Sequence, residues 1–364
     1  MKLVIFGLTI SSSWGNGHAT LWRGLIAALS RRGHDVTFFE RDVPYYAAHR
    51  DLASLPAGEL RLYGAWEDAE AAARAELADA DVGMVTSYCP DAVAATRVLA
   101  DSKARYRVFY DLDTPVTLSR LAAGEDVAYI GPRLLADFDL ALSYTGGRAL
   151  DELRSTLRVR RALPLYGSVD PASHWREQPS EAYRNDFSYL GTYAADRQAT
   201  LIALFIEPAR RLPGRKFLIG GAQYPQDFPW ATNIYFARHV APPEHPAFYS
   251  SSRLTLNVTR QSMARFGWCP SGRLFEAAAC GVPIVSDAWE GLEAFFAPGH
   301  EILVARGADD VVEAIELSDA ELDRIARTAR ERTLAEHTAE QRARDFEAAV
   351  ETITNTAVSG LRVA

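Results

Sequence analysis

Residues 271–296 read SGRLFEAAACGVPIVSDAWEGLEAFF, a short helix, a sharp stop, a buried strand and a further helix start. Ser271 follows Pro270 and suits the N-cap, where a hydroxyl accepts from one of the unpaired N–H groups of a helix start. Gly281 stands where a left-handed residue closes a helix, and Pro283 prevents continuation. The apolar run at 282–285 is typical of a parallel strand buried on both faces. Arg273 and Glu276 are three apart and so project from one helical face. A helix start bearing a serine and an arginine is an anion site, with phosphate the usual occupant. A carboxylate one turn further in can accept from the two hydroxyls of a ribose. The same pair also fits an exposed ion pair worth roughly a few tenths of a kcal/mol.

The whole string resembles the sugar-nucleotide signature of GT-B glycosyltransferases, most nearly the CgeB-type (spore-maturation-protein-like) group related to the retaining family-four enzymes. The resemblance implies that Glu276 binds the donor ribose and that Ser271, Gly272 and Arg273 at the helix start bind the diphosphate. Family four usually carries a second glutamate eight positions earlier, near the donor sugar, and here that position is Trp268. The likeness is strongest over residues 190–313, and the N-terminal half supports only the layout.

A chain of 364 residues is long enough for two domains with cores of their own. Its hydrophobic fraction of 48% and charged fraction of 24% are those of an ordinary globular protein. The net charge of −8 argues against broad binding of nucleic acid or anionic membrane. Cys89, Cys269 and Cys280 form no CxxC or Cys/His cluster, which points to a reducing compartment, no disulfide frame and no structural zinc. The apolar run at 3–10 is too short and too β-branched for a signal peptide or a membrane span.

The N-terminal part reads as a βαβ unit: a strand at 3–6, a loop at 9–20, a helix at about 21–32 and a strand at 35–40. Gly15 and Gly17 make a G-x-G and Glu40 sits near a ribose-binding position, but Thr20 stands where the third glycine of a dinucleotide fingerprint belongs and the loop is too long. His18 near the helix start is either a neutral base or a residue that packs its loop. After the strand at 107–110 comes Asp111-Leu112-Asp113, where α/β sheets bind ligands. These carboxylates could hold a metal, cap the next turn, or face a sugar, as the resemblance implies for one of them. Residues 169–182, with two prolines, read as a linker.

In the second half the strand at 186–190 runs into Gly191 and Thr192, and glycine permits close backbone approach. Arg197 there either neutralises a phosphate or stands in solvent at a helix start. Tyr224, after a strand ending in Gly220-Gly221, could stack on a nucleobase. Arg260 ends another strand shortly before the opening motif, so two arginines could converge on one diphosphate and offset its charge without a metal.

These readings make an α/β chain of GT-B class: two Rossmann-like α/β/α domains facing across a cleft. Residues 1–168 form the acceptor side, 169–340 bind the nucleotide sugar, and 341–364 form a C-terminal helix returning to the first domain. The expected reaction is metal-independent sugar transfer from a UDP- or dTDP-type donor to a small-molecule, glycan or protein acceptor, with no other cofactor. The expected catalytic residues are His18, Asp111 and Asp113. The rivals are a non-hydrolysing sugar-nucleotide 2-epimerase and a non-catalytic sugar-nucleotide-binding protein. A cytoplasmic monomer or homodimer with no transmembrane segment and no nucleic-acid partner completes the expectation.

Overall fold

The computed structural model describes residues 1–360, with side chains through residue 353. The chain divides into two compact units, residues 1–166 with the helix Ala339–Gly360, and residues 167–338.

The first unit is built on seven strands: β1 (Lys2–Gly7), β2 (Asp35–Arg41), β3 (Glu59–Tyr63), β4 (Val82–Thr86), β5 (Tyr106–Asp111), β6 (Leu140–Ser143) and β7 (Ala162–Pro164). They lie in the order β3-β2-β1-β4-β5-β6-β7, every pair parallel. Residues 3–7 of β1 and all of β4 are buried, as expected of strands covered on both faces. One covering layer includes Trp22, Leu25 and Leu29 from the helix His18–Arg31 and Phe346, Val350 and Ile353 from the returning C-terminal helix. The other includes Trp66, Ala73, Leu77 and Leu99.

The second unit has six strands: β8 (Phe187–Leu190), β9 (Phe217–Gly221), β10 (Ile234–Arg238), β11 (Thr255–Asn257), β12 (Ile284–Asp287) and β13 (Leu303–Ala305). Their order is β10-β9-β8-β11-β12-β13, again all parallel. The opening motif folds as the helix Gly272–Ala279, a left-handed Gly281 (φ 73°) and β12. The strand starts at Ile284 rather than 282, and a short 3-10 turn, Leu292–Ala294, follows it.

Several elements differ from the expectation. The first helix begins at His18, three residues before the expected start. β3 lies at a sheet edge, where its half-exposed pattern hid it. The helix that starts beside Arg197 is one run from Gln198 to Arg211 whose segment Ile202–Ile206 is widened to π geometry just ahead of Pro208. A proline lacks the N–H and crowds the carbonyl four residues back, and a π turn accommodates both defects.

Candidate functional site

In an open parallel sheet, ligands bind beyond the carboxyl ends of the strands where the strand order reverses. In the second unit that point lies between β8 and β11, which end at Leu190 and Asn257. The helix Gly272–Ala279 delivers Arg273 to it. Arg273 Nε donates to Leu190 O, its Nη1 donates to Asn257 Oδ1 (3.1 Å), and its guanidinium lies over the Tyr189 ring at 5.2 Å. Three fixed partners hold a long cationic side chain in one orientation, so little freedom remains to be lost on binding.

Two glycines allow this approach. A Cβ on Gly221 (φ 154°) would stand 2.1 Å from Gly191 O, and one on Gly191 would stand 2.9 Å from Arg273 Nη2. Tyr224 donates its hydroxyl to Gly191 O (3.0 Å), and its ring meets Tyr193, Phe228 and Phe236 edge-on. Burial pushes its phenol above the ordinary range.

Beside Gly191, Arg197 Nη1 donates to Thr192 O (3.3 Å), and Arg260 Nε donates to Asp196 Oδ2 (3.1 Å). The helix Gln261–Phe266 packs on the turn Ala195–Arg197. Here four buried polar atoms have no hydrogen-bond partner: Arg197 Nε, Asp196 Oδ1, Gln198 Oε1 and Ser262 Oγ. Asp196, Gln198 and Ser262 were not foreseen, because nothing in the spacing of 196–198 and 261–262 announces that they adjoin.

Ser271 occupies the N-cap position, but its hydroxyl makes no capping bond and instead accepts from Arg273 Nη1 (3.5 Å). The expected cap is therefore absent, since the hydroxyl is turned toward the guanidinium. Gly272 is the first residue of the helix. Trp268, at the position of the family-four glutamate, has φ 49°, donates its N–H to Glu290 O (2.6 Å) and lays its ring against Gly291.

Glu276, one turn beyond Arg273, is half-buried and shares its surroundings with His174 and His245, the ligating atoms of all three lying within 4.8 Å of one another. Burial pushes both histidines down to about 4, so each imidazole is neutral near pH 7. Tyr249, wholly buried and without a hydrogen-bond partner on its hydroxyl, lies in the field of Glu276 and Arg273.

In the first unit the order reverses between β1 and β4. The loop after β1 is locked by Glu40, a fully buried residue whose carboxylate accepts from Thr9 Oγ1 (2.7 Å), Ile10 N (2.7 Å), Ser11 N (3.0 Å) and Ser11 Oγ (2.5 Å). With its capacity used by the loop after β1, Glu40 has nothing left for a dinucleotide ribose. That loop delivers His18, whose Nε2 lies 3.4 Å from Asp113 Oδ2 and whose Nδ1 is buried without a partner. Tyr88, at φ 62° beyond β4, flanks the pair with its ring centroid 6.3 Å from that of His18.

The two aspartates of the D-x-D part company. Asp113 stands at the start of the helix Thr114–Ala122 without capping it and turns toward His18. Asp111 is fully buried, accepts from Asp113 N (3.0 Å), and has a second carboxylate oxygen with no partner. Burial, aided by the Asp113 charge, pushes Asp111 up to about 6. Asp111 and Asp113 are both buried, and His18 is the partly exposed member of the cluster.

Residues 197–348 match a family model described as glycosyl transferase-like. No curated protein matches the chain. Among solved structures, a sucrose-phosphate synthase from Thermosynechococcus elongatus superposes with a TM-score of 0.68 at 14% identity, covering 98% of this chain and 100% of that one. HepE of Anabaena in complex with UDP and glucose gives 0.68 at 12% identity, over 97% and 100%. An alpha-glucosyltransferase in complex with UDP gives 0.72 at 12% identity, over 97% and 100%. Two parallel-sheet α/β units of this kind are the fold of the GT-B glycosyltransferases.

Proposed function

We propose that the chain is a glycosyltransferase of the CgeB-type group that moves a sugar from a nucleoside-diphosphate sugar, of UDP or dTDP type, to a small-molecule, glycan or protein acceptor. The observation that carries this reading is the set of unpartnered polar atoms on Arg197, Gln198, Asp196 and Ser262 around the β8/β11 switch point, next to Arg260 and the anchored Arg273. Buried polar groups are nearly always bonded, so such a set suits a polar ligand. Arg197 Nε and Ser262 Oγ can donate and, with the guanidinium groups of Arg260 and Arg273, suit phosphate oxygens, whereas Asp196 Oδ1 and Gln198 Oε1 only accept and suit ligand hydroxyls or N–H groups.

In this reading Arg273, Arg260 and Arg197, with the helix start at Ser271 and Gly272, stabilise the diphosphate as the bond from the sugar's anomeric carbon to the phosphate oxygen breaks. Three cations can do this without a metal. Glu276 accepts from the ribose hydroxyls and Tyr224 flanks the base. In the first unit His18 takes the acceptor proton as the new glycosidic bond forms, with Asp113 orienting the imidazole and stabilising its charged form. Asp111 supports Asp113 from below.

The decisive experiment offers UDP-, dTDP-, ADP- and GDP-sugars and measures free nucleoside diphosphate, alongside calorimetric titration of the diphosphates themselves. Binding of UDP or dTDP and its release from a donor are expected. Failure to bind any nucleoside diphosphate overturns the reading. Binding without release from any donor would favour the non-catalytic protein, the alternative to which Trp268 in place of the usual glutamate lends weight.

A further inference from the structure

His174, His245 and Glu276 form a cluster at the motif helix. His174 comes from the segment after Gly167, His245 opens the helix His245–Ser250, and Glu276 belongs to the helix Gly272–Ala279. His245 Nε2 lies 3.3 Å from Val240 O, and a carbonyl only accepts, so the proton of His245 is on Nε2 and Nδ1 is a bare lone pair. That lone pair faces His174 Nε2 at 3.2 Å. A tetrahedral ion with metal–nitrogen bonds near 2.0 Å would hold two ligand nitrogens about 3.3 Å apart. The imidazoles thus already stand at that spacing, and the Glu276 carboxylate is within 4.8 Å of both. A carbonyl behind a ligating histidine is the usual outer support of such a site, since it fixes tautomer and ring orientation.

We propose that His174 Nε2, His245 Nδ1 and a Glu276 carboxylate oxygen form a binding site for a divalent first-row transition ion of the Zn²⁺ type. Two imidazoles and one carboxylate leave a fourth position open, the ligand set favoured by borderline metals rather than by Mg²⁺ or Ca²⁺. Loading requires only that His174 carry its proton on Nδ1, so no net proton is released by the histidines. The alternative is a plain hydrogen bond from His174 Nε2–H to His245 Nδ1, which would hold no ion.

Glu276 would then serve two masters, the ion and the donor ribose. With one carboxylate oxygen on the ion, only the other remains for the ribose, so ion and nucleotide would weaken one another, a statement that rests on the donor reading above. The site itself does not.

The test titrates the metal-free full chain with Co²⁺, then displaces it with Zn²⁺. One equivalent of Co²⁺ with the intense visible absorption of four-coordination is expected. His174→Ala and His245→Ala should each weaken binding by ~100-fold or more, and Glu276→Gln by ~10-fold or more. Circular dichroism checks the histidine variants, and should they unfold, Glu276→Gln at its half-buried position decides. No stoichiometric Co²⁺ or Zn²⁺ binding by the wild type, or affinity unchanged in Glu276→Gln, overturns the site. Saturating UDP should weaken Co²⁺ binding. Co²⁺ affinity indifferent to bound UDP would overturn the competition at Glu276 while leaving the metal site standing. UDP affinity measured with chelator present tests the ribose role separately.

Discussion

Asp111 and Asp113 are two residues apart and chemically identical, yet the fold gives them opposite environments. Asp111 is held up to about 6 by burial, against an ordinary value of 3.8. The folded chain therefore binds this proton more tightly than the unfolded chain does. Stability falls as pH rises through the window between those two values and stays lowered above it. Two pKa units correspond to ~3 kcal/mol. Asp111→Asn, neutral at every pH, should raise the urea unfolding free energy by up to ~3 kcal/mol at pH 8 and by little at pH 4. For His18→Ala the expected loss is in kcat, ~100-fold or more as for a removed general base, with UDP affinity unchanged by calorimetry. Glu276→Ala should weaken UDP binding by roughly 1–3 kcal/mol in chelated buffer, the cost of charge-assisted hydrogen bonds. At this scale the sequence was partly legible. The neighbourhood of Arg273 follows from a helix start after a buried strand, and His18 from a loop at a strand's carboxyl end. The pairing of His174 with His245 was not legible, because 71 positions separate them and each reads as an ordinary loop or helix-start histidine.

At the scale of elements, the β8 and β9 loops are fitted to each other through Gly191 and Gly221. Gly221→Ala would drive a methyl into the Gly191 carbonyl at a backbone angle that L residues rarely adopt. The expected outcome is a lowered melting temperature, corresponding to ~3 kcal/mol or more, together with lost UDP binding, both read in one thermal-shift series with and without UDP. Long, uniformly buried strands such as β1 and β4 announce themselves in sequence because apolar runs have few other uses. Edge strand β3 and the helices Thr114–Ala122 and Arg148–Leu157 did not. The first of those helices carries Pro115 in its opening turn, which reads as a turn as easily as a helix start. The second follows Thr145-Gly146-Gly147, a loop signal that masks the amphipathic run behind it.

At the scale of the whole molecule, both units repeat one plan, a parallel sheet whose order reverses beside its first strand. The plan could be read from alternating strands and helices, whereas strand order had to come from the structure, since hydrophobic runs carry no record of their neighbours. The second unit is an insertion in the first. Its two ends meet, with Val169 bridged to Thr338 and Val169 N donating to His337 O (3.0 Å). The helix that resumes the first unit starts at Ala339 and buries Ala343, Phe346 and Val350 in its core. Ribosomal synthesis must therefore finish the inserted unit before the enclosing one has all its parts. A nascent chain arrested with residue 338 already outside the exit tunnel should resist a protease over 167–338 and be cut within 1–166. Emergence of the following helix should close that vulnerable interval, during which the apolar face of the helix His18–Arg31 is a natural client surface for chaperones.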